Sequence, residues 1–260
     1  MRKTAIALLV LGLTAIMVSP TLTTSLLSEG FSYPAGNLAG NGGWTTFSGA
    51  GTDVQVVSGR AVGLGPNAID DHAAFAIQPL TTKTYACFTV RIPAVVGAPK
   101  PIYFFALKDA TVSNFVSRVY VLALPGGGWT FGLSHSSTST TVGVVPWGSA
   151  LSYDTDYTVA INYDPVAKSS AMWVNPVNEA STSVSIINTA IPANAMSTVA
   201  LRQSASASTL PASPSYAGTA DWGFSVDNLG VGTTFDDACA SGPTPTNKST
   251  WGELKTIYSH

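Results

Sequence analysis

The sequence predicts an all-β protein, a two-sheet antiparallel β-sandwich, from three observations. Short segments alternate apolar and polar residues with the period of a strand, and turns rich in glycine and proline separate them. No segment of ten or more residues in the body of the chain has the apolar stripe of an amphipathic helix. Charged residues make up only 10% of the 260 residues, against about 25% in an average domain. This composition favours short strands and turns, and the length suits one large β domain.

The N-terminus has the pattern of a secretory signal segment. Met1–Lys3 is basic, Ala5–Val18 is apolar, and Ser19 and Pro20 end the apolar run. We predict a signal peptide over residues 1–25, with an uncleaved N-terminal anchor as the alternative, and no membrane span after its removal. The protein is therefore expected outside the cell or at the cell surface. A net charge of −2 and the lack of any basic run predict no nucleic-acid partner.

The glycine-rich stretch Gly36–Gly51 raises the question of a phosphate-binding loop. Such a loop needs a buried strand before it and a helix after it, so that backbone amides point at the anion. Thr52–Val57, which follows the glycines, alternates like a strand instead. We therefore interpret these glycines as turn residues of a β protein.

Strand patterns recur through the rest of the body. Val119–Leu124 is apolar on both faces, as expected for a central covered strand. Trp222–Gly232 is predicted to be the last long strand, with a bulge or kink at Asp227–Asn228. Four further segments alternate with a period of two, and they are Tyr85–Ile92, Tyr157–Tyr163, Ala171–Asn175 and Thr198–Ser204.

The C-terminal end differs from the body. Ser241–Ser249 is predicted to be a Pro/Thr linker, and residues 250–260 a short helical tag, since Thr250 and Glu253 fit a capping box. The tag is either a sorting or docking signal or an end that packs on the sandwich. Trp-Gly-x-x-Lys in this segment resembles the C-terminal segments of some exported bacterial proteins.

Two cysteines, Cys87 and Cys239, are present. In an exported protein they can form one disulfide bond, and two free thiols are the alternative. Spacing alone does not show that they meet.

An ordered set of motifs resembles a family of exported bacterial concanavalin A-like, laminin G-like jelly-roll domains. These motifs are LLSEGFSYPAGNLAGNGGW from Leu26, FSGAGT from Phe47, SRVYV from Ser117, FGLSHSSTS from Phe131, WVNP from Trp173, VALRQS from Val199 and VDNLGVGTTF from Val226. The resemblance implies one sandwich domain over residues 26–240. It also implies that the strand Tyr85–Ile92 lies beside the last strand, Val226–Phe235, which would bring Cys87 near Cys239 and favour the disulfide.

Catalytic patterns are missing from the sequence. A glycan hydrolase needs two carboxyl groups about 5–10 Å apart, and none of the three glutamates, Glu29, Glu179 and Glu253, has an acidic partner at strand spacing. No serine–histidine triad pattern and no zinc-ligand spacing is present. We therefore predict that the protein is not an enzyme.

No cofactor is expected to be required, and a structural calcium ion is the candidate for a bound metal. Asp70 and Asp71 follow a Gly-Pro-Asn turn and could supply its oxygen ligands. The alternative is that both are solvated turn residues.

Carbohydrate binding needs aromatic rings and planar polar groups on one face. In the strands and loops that match the family, the candidates are Arg118, Trp129, His135, Asn175, Arg202 and Gln203. The alternative for each is an ordinary solvent-facing or core residue. The sequence thus predicts an exported non-catalytic module that recognises polysaccharides or cell-surface glycans, or that mediates attachment to a cell surface or matrix. The second hypothesis is a structural surface protein that assembles with copies of itself, and a glycan hydrolase is the third.

Overall fold

The structure is a computed structural model that describes residues 25–63, 69–111, 113–135, 143–203 and 218–240. The predicted signal peptide, apart from Ser25, and the predicted linker and helical tag lie outside these residues. Within them the chain is nearly all β, with two antiparallel sheets, which confirms the predicted fold class. No helix in these ranges is both long enough and apolar enough to cross a membrane.

In the described ranges the first sheet has nine strands, numbered in chain order: β1 (Ser25–Glu29), β2 (Gly36–Asn37), β4 (Gln55–Val57), β5 (Arg60–Gly63), β7 (Thr84–Arg91), β12 (Asp156–Asp164), β13 (Ser169–Val174), β14 (Val184–Ile187) and β16 (Phe224–Gly232). Their order in the sheet is β14-β13-β12-β7-β16-β5-β4-β2, and β1 pairs with β16.

The second sheet has seven strands in the same ranges: β3 (Trp44–Ser48), β6 (Asp70–Ala74), β8 (Ile102–Lys108), β9 (Phe115–Ala123), β10 (Trp129–Ser134), β11 (Val145–Pro146) and β15 (Thr198–Leu201). Their order is β11-β10-β9-β8-β15-β6-β3. The six strand segments predicted between residues 85 and 232 all occur, with ends that differ by a few residues.

The main core lies between the two sheets. Phe88 on β7 stacks on Phe105 of β8 with ring centroids 4.2 Å apart, and it meets Phe104 edge to face at 6.1 Å. Ala86 and Val90, which share a face with Phe88, are also buried in this cluster. Burial of these apolar faces is what holds the two layers together.

The last strand contains the predicted irregularity. The pairing of β16 with β7 shifts register between Asp227 and Gly230, and Asn228 has a positive φ of 50°. Asn tolerates this left-handed conformation better than most residues do. The bulge places Gly230 opposite Cys87.

The glycine-rich stretch forms turns around a buried carboxylate and contains the strands β2 and β3. The strand β4 follows it, as the alternation of Thr52–Val57 predicted. Gly42 has a φ of 52°, and a Cβ atom there would lie 1.6 Å from the Tyr33 hydroxyl oxygen. The carboxylate of Glu29, which is 5% exposed, accepts hydrogen bonds from the Phe31 amide at 2.6 Å, the Tyr33 hydroxyl at 2.6 Å and Trp44 Nε1 at 3.1 Å. A glycine is needed at position 42 because the chain passes close to this cluster.

The structure contains the Cys87–Cys239 disulfide, with the two Cα atoms 5.0 Å apart. Cys239 is carried by a short helix, α1 (Phe235–Cys239). The last strand ends at Gly232, as its residue pattern predicted, and does not run to Phe235 as the family resemblance implied. The strand ends at Gly232 because Thr234 caps the helix and accepts a hydrogen bond from the Asp237 amide at 3.1 Å.

Helix α1 covers part of the outer face of the first sheet. Phe235 packs edge to face against Tyr85 at 6.4 Å and against Trp173 at 5.6 Å. These residues form a second, smaller core around the disulfide.

Candidate functional site

A cluster of aromatic and basic side chains lies on the outer face of the second sheet. Val119 and Leu201 face the main core, so the neighbouring Arg118 and Arg202 point away from it. The strands β9, β8, β6 and β3 contribute to this face, together with Arg202, which directly follows β15. We call it the Tyr103 face, and it comprises Phe47, Asp70, His72, Tyr103, Lys108, Phe115, Arg118 and Arg202. Asp70, Tyr103, Lys108 and Phe115 are buried in it, and the other members are half-buried.

Tyr103 on β8 is the centre of the cluster. The guanidinium carbon of Arg118 lies 4.7 Å from the centroid of its ring, and that of Arg202 lies 4.4 Å from it. Arg118 also lies over the Phe115 ring at 5.6 Å. Cation–π contacts of this kind hold a guanidinium in place through its flat face.

The backbone explains why the two arginines meet. Tyr103 pairs with Tyr120 of β9, two residues beyond Arg118. On the other side of β8, the Arg202 amide donates a hydrogen bond to the Phe104 carbonyl at 2.8 Å. Burial raises the pKa of Tyr103, and the two arginines oppose that shift, so the phenol is neutral at physiological pH.

Asp70 is the acidic member of the Tyr103 face. Its carboxylate accepts hydrogen bonds from Ser48 Oγ at 2.9 Å and from the Gln203 amide at 3.0 Å, and Arg202 Nε lies 3.8 Å from Oδ2. Burial raises the pKa of Asp70 to about 6, although Arg202 and both hydrogen bonds act in the opposite direction. Arg202 Nη1 is buried and makes no hydrogen bond to any described residue.

Lys108 and His72 form a second polar contact on this face. Lys108 Nζ lies 3.1 Å from His72 Nδ1 and 3.1 Å from the Asp109 carbonyl oxygen, and it sits over the Phe47 ring at 5.2 Å. Phe47 stacks on the His72 ring with centroids 5.0 Å apart. Burial lowers the pKa of Lys108, and burial together with the nearby lysine lowers the pKa of His72. A protonated Lys108 donates to Nδ1, so His72 is neutral with its proton on Nε2.

Trp129 and His135 lie inside the molecule rather than at a ligand surface. Trp129 is 0% exposed and packs against Phe131 at 5.0 Å. His135 is 1% exposed, its Nδ1 lies 2.7 Å from Ser170 Oγ, and burial lowers its pKa to about 4. Their predicted role in lining a binding loop is corrected, because both continue the core-facing side of β10.

Asn175 and Gln203 also have local structural contacts. Asn175 follows β13 in the first sheet, and its Oδ1 accepts a hydrogen bond from the Thr158 amide at 2.9 Å, so it is not near the arginines of the second sheet. Gln203 is buried, and its Nε2 donates to the carbonyl oxygens of Thr52 at 3.1 Å and Ile69 at 3.2 Å. Of the six predicted ligand-binding residues, the Tyr103 face brings together Arg118 and Arg202.

The predicted calcium ligands do not form a shared site. Asp70 and Asp71 are consecutive in β6 and point to opposite faces of the sheet. Asp71 Oδ1 accepts a hydrogen bond from Thr46 Oγ1 at 3.2 Å, and burial, reinforced by the charge of Asp53, raises the pKa of Asp71 to about 6. In the described residues no group of three or more His, Cys, Asp or Glu side chains could hold a metal ion. The described residues therefore do not confirm a calcium site at Asp70 and Asp71.

Sequence reasoning did not identify Tyr103, His72, Lys108 or the two phenylalanines of the face. The signal for Tyr103 is its place between Ile102 and Phe104, both of which face the core. The signal for His72 is similar, because it lies between Asp71 and Ala73, which are buried on the other side of β6, and it therefore points to the outer face.

No protein family and no curated protein matches the chain. Solved structures share its fold at low sequence identity. The CBM2 module of the evolved Dit protein of Lactobacillus casei BL23 phage J-1 is 10% identical, with a TM-score of 0.51 over 81% of this chain and 96% of that one. A sialidase is 12% identical over 75% of this chain, with a TM-score of 0.47, and the match spans 17% of the sialidase. The carbohydrate recognition domain of Emp47p is 12% identical over 77% of this chain and 94% of that one, with a TM-score of 0.43. At these identities the likeness shows the fold alone, a jelly-roll β-sandwich consistent with the concanavalin A-like type.

Proposed function

We propose that this protein is a non-catalytic module that binds glycans through the Tyr103 face, outside the cell or at its surface. The observation that carries the proposal is the pair of guanidinium groups, from Arg118 and Arg202, held over one tyrosine ring. The fold shared with the CBM2 module is compatible with this role, although fold alone does not establish it.

The chemistry of the face suits a polyhydroxylated ligand. Each guanidinium carries five N–H donors in a rigid plane, and hydroxyl oxygens accept from such donors. Contact with Tyr103 fixes both groups before a ligand arrives, so less side-chain entropy is lost on binding. Phe47, which is half-buried, adds aromatic surface beside this cluster, against which the C–H faces of a sugar ring can pack.

The surroundings of Asp70 support recognition over hydrolysis. A glycosidase uses two carboxyl groups that flank the scissile bond. Asp70 already accepts hydrogen bonds from Ser48 and the Gln203 amide and lies beside Arg202. A carboxylate with these partners is poorly placed to give or take a proton on a glycosidic oxygen.

The test is a glycan array probed with the full chain, in calcium and again with a chelator. We expect saturable binding that the chelator does not change and that falls at least about tenfold in Arg118→Ala and Arg202→Ala. The matched control is Arg91→Ala, which removes an arginine from the outer face of the first sheet, where it pairs with Asp156 at 2.6 Å. The control is expected to bind like the wild type.

Other outcomes would contradict parts of the proposal. Shortening of a bound glycan after incubation would make the protein an enzyme. A blank array from a folded sample, together with polymers that form with rising concentration, would favour the structural hypothesis instead. Equal losses in Arg91→Ala and in the variants of the Tyr103 face would remove the face from the binding site.

A further inference from the structure

We propose that the C-terminal tag, residues 250–260, docks in a groove beside helix α1 on the outer face of the first sheet, with Trp251 as its apolar anchor. The tag itself lies outside the described residues. The proposal rests on the shape and exposure of the groove, on the place where the chain leaves the sandwich, and on the residue types of the tag. It is independent of glycan binding, because the Tyr103 face belongs to the other sheet.

The groove lies between helix α1 and the chain that follows β13. Pro176 and Val177 line one side of it, and Cys239 and Ala240, at the end of α1, line the other. Phe235, which is buried, also lines it. The volume of the groove is about 330 Å³. This volume is at the lower end of the range of about 300–1,000 Å³ for ligand pockets, so the groove suits one or two large side chains.

Apolar surface in the groove is accessible from solvent. Val177 is 91% exposed, and Pro176 and Cys239 are half-buried. The groove also presents the exposed carboxylate of Asp236. An occupant that covers Val177 removes apolar area from water, which favours binding.

Hydrogen bonds hold the Val177 side of the groove in place. The amides of Val177 and Asn178 donate to Ser181 Oγ at 3.0 Å and 3.2 Å. The Asn175 amide donates to the Thr158 carbonyl at 2.7 Å, and Asn175 Oδ1 accepts from the Thr158 amide at 2.9 Å. The disulfide fixes the other side, since Cys239 is bonded to Cys87. The groove is therefore formed before an occupant arrives, and little conformational entropy is lost there on binding.

The place where the chain leaves the sandwich favours the tag over a separate protein as the occupant. Ala240 lines the groove, and residues 241–249 connect it directly to the tag. Nine residues of a Pro-rich linker span at most about 28 Å, at 3.1 Å per residue. Trp251 is thus confined to the neighbourhood of the groove. Such a tether gives the tag an effective concentration in the millimolar range, which a free partner seldom reaches.

The residue types of the tag complement those of the groove. Trp251, Leu254 and Tyr258 fall near one face of the predicted short helix and can supply an apolar surface for Val177. Residues 241–260 contain two lysines and one glutamate, a formal charge of +1 with His neutral, whereas the groove presents the carboxylate of Asp236. The opposite charges add a modest attraction to the apolar contact.

The first experiment places the photo-reactive residue p-benzoyl-phenylalanine in place of Val177 in the full chain. We expect irradiation to cross-link this position to residues 250–260 of the same chain, with a yield that does not depend on protein concentration. The matched control carries the same group in place of Val166, which is 71% exposed and lies in the turn after β12. The six residues from Thr158 to Asp164 put that turn about 20 Å away along the strand. The yield from the control should be at least about tenfold lower.

The second experiment follows hydrogen exchange of residues 250–260 by mass spectrometry in the full chain. Val177→Asp removes the apolar contact and puts a second carboxylate beside Asp236, so the tag amides should exchange at least about tenfold faster than in the wild type. Val166→Asp is the control and should leave their exchange unchanged. Both valines are largely exposed, so neither change should unfold the sandwich.

Three outcomes would overturn the inference. Cross-links that join two chains and increase with concentration would give the groove to the tag of a second copy and would support the structural hypothesis. Equal cross-linking from positions 177 and 166 would show that the tag has no preferred place. Tag amides that exchange in the wild type as fast as those of an unstructured peptide would show that the tag is not docked. None of these results depends on whether the glycan array is positive.

Discussion

Replacing Glu29 by Gln tests whether one buried carboxylate organises the N-terminal turn. The change keeps the shape of the side chain but turns one acceptor oxygen into an NH₂ donor. Two of the hydrogen bonds, from the Tyr33 hydroxyl and from Trp44 Nε1, end on Oε2, and the third, from the Phe31 amide, ends on Oε1. Whichever way the amide is oriented, at least one donor then faces another donor.

The magnitude follows from these contacts. A hydrogen bond to a charged acceptor contributes about 1.5–3 kcal/mol, and a buried donor left without a partner costs a similar amount. The Tyr33 hydroxyl can rotate to accept from the new NH₂ group, but Trp44 Nε1 is a donor only. Trp44 is fully buried, so water does not replace the lost acceptor. We expect Glu29→Gln to lower the free energy of unfolding by about 2–4 kcal/mol.

The assay is equilibrium unfolding in urea, followed by tryptophan fluorescence with the disulfide intact. Tyr33→Phe removes one of the bonds and should cost about 1–2 kcal/mol, and the double variant should cost less than the sum of the two single changes. Glu179→Gln is the control, since that exposed carboxylate accepts from the Tyr85 hydroxyl and should matter by less than about 1 kcal/mol. A Glu29→Gln variant within about 0.5 kcal/mol of the wild type would refute this account of the turn.

Three further changes test the structure by the same urea assay. Replacing Cys87 and Cys239 together by Ala should lower the free energy of unfolding by about 5 kcal/mol, because the disulfide closes a loop with a sequence separation of 152. A loss below about 1 kcal/mol would contradict the stabilising role of the disulfide. Burial lowers the pKa of His135 to about 4. The stability that the neutral imidazole contributes is therefore fully present above pH 6.5 and is lost as the pH falls through 4. His135→Gln should therefore lose less stability relative to the wild type at pH 4 than at pH 7, and a constant difference would contradict this. Burial raises the pKa of Asp70 to about 6, so its effect on stability depends on pH in the opposite direction. The stability that the protonated carboxyl group contributes is present below pH 3.8 and is lost as the pH rises through 6. Asp70→Asn should gain stability relative to the wild type between pH 4 and pH 7, and a relative loss over that range would contradict the shift.

Strands could be predicted where apolar and polar residues alternate with a period of two and turn residues mark the ends of the segment. Tyr157–Tyr163 alternates cleanly, and the structure has β12 over Asp156–Asp164. The strand β8 was missed because Ile102–Lys108 is apolar almost throughout and its pairing with β9 shifts register on both sides of Phe105. A bulge puts Phe104 and Phe105 both in the core and removes the alternation on which the sequence argument depends.

The missed strand β8 also limited the prediction of the site. Arg118 and Arg202 were both identified, but they meet only because β8 lies between β9 and β15 and supplies Tyr103. His135 was predicted to be a ligand-binding residue, although it lies two and four residues after the core residues Leu133 and Phe131 and so on the same side of the strand. Following the period of two beyond the end of β10 would have placed His135 inside the molecule.

The stability and the glycan binding of a variant without Arg118 together distinguish a functional role of this arginine from a structural one. A guanidinium that is partly removed from water contributes little to folding, and an apolar residue of similar volume often stabilises a protein as well or better. Methionine can pack on the rings of Tyr103 and Phe115 in place of Arg118, because its thioether makes favourable contacts with aromatic rings. If the face is kept for binding, Arg118→Met should unfold within about 1 kcal/mol of the wild type, or at higher urea, while glycan binding falls at least about tenfold. A variant that loses several kcal/mol of stability and keeps its affinity would show that Arg118 is there for the fold, and the binding site would then have to be sought elsewhere on the sandwich.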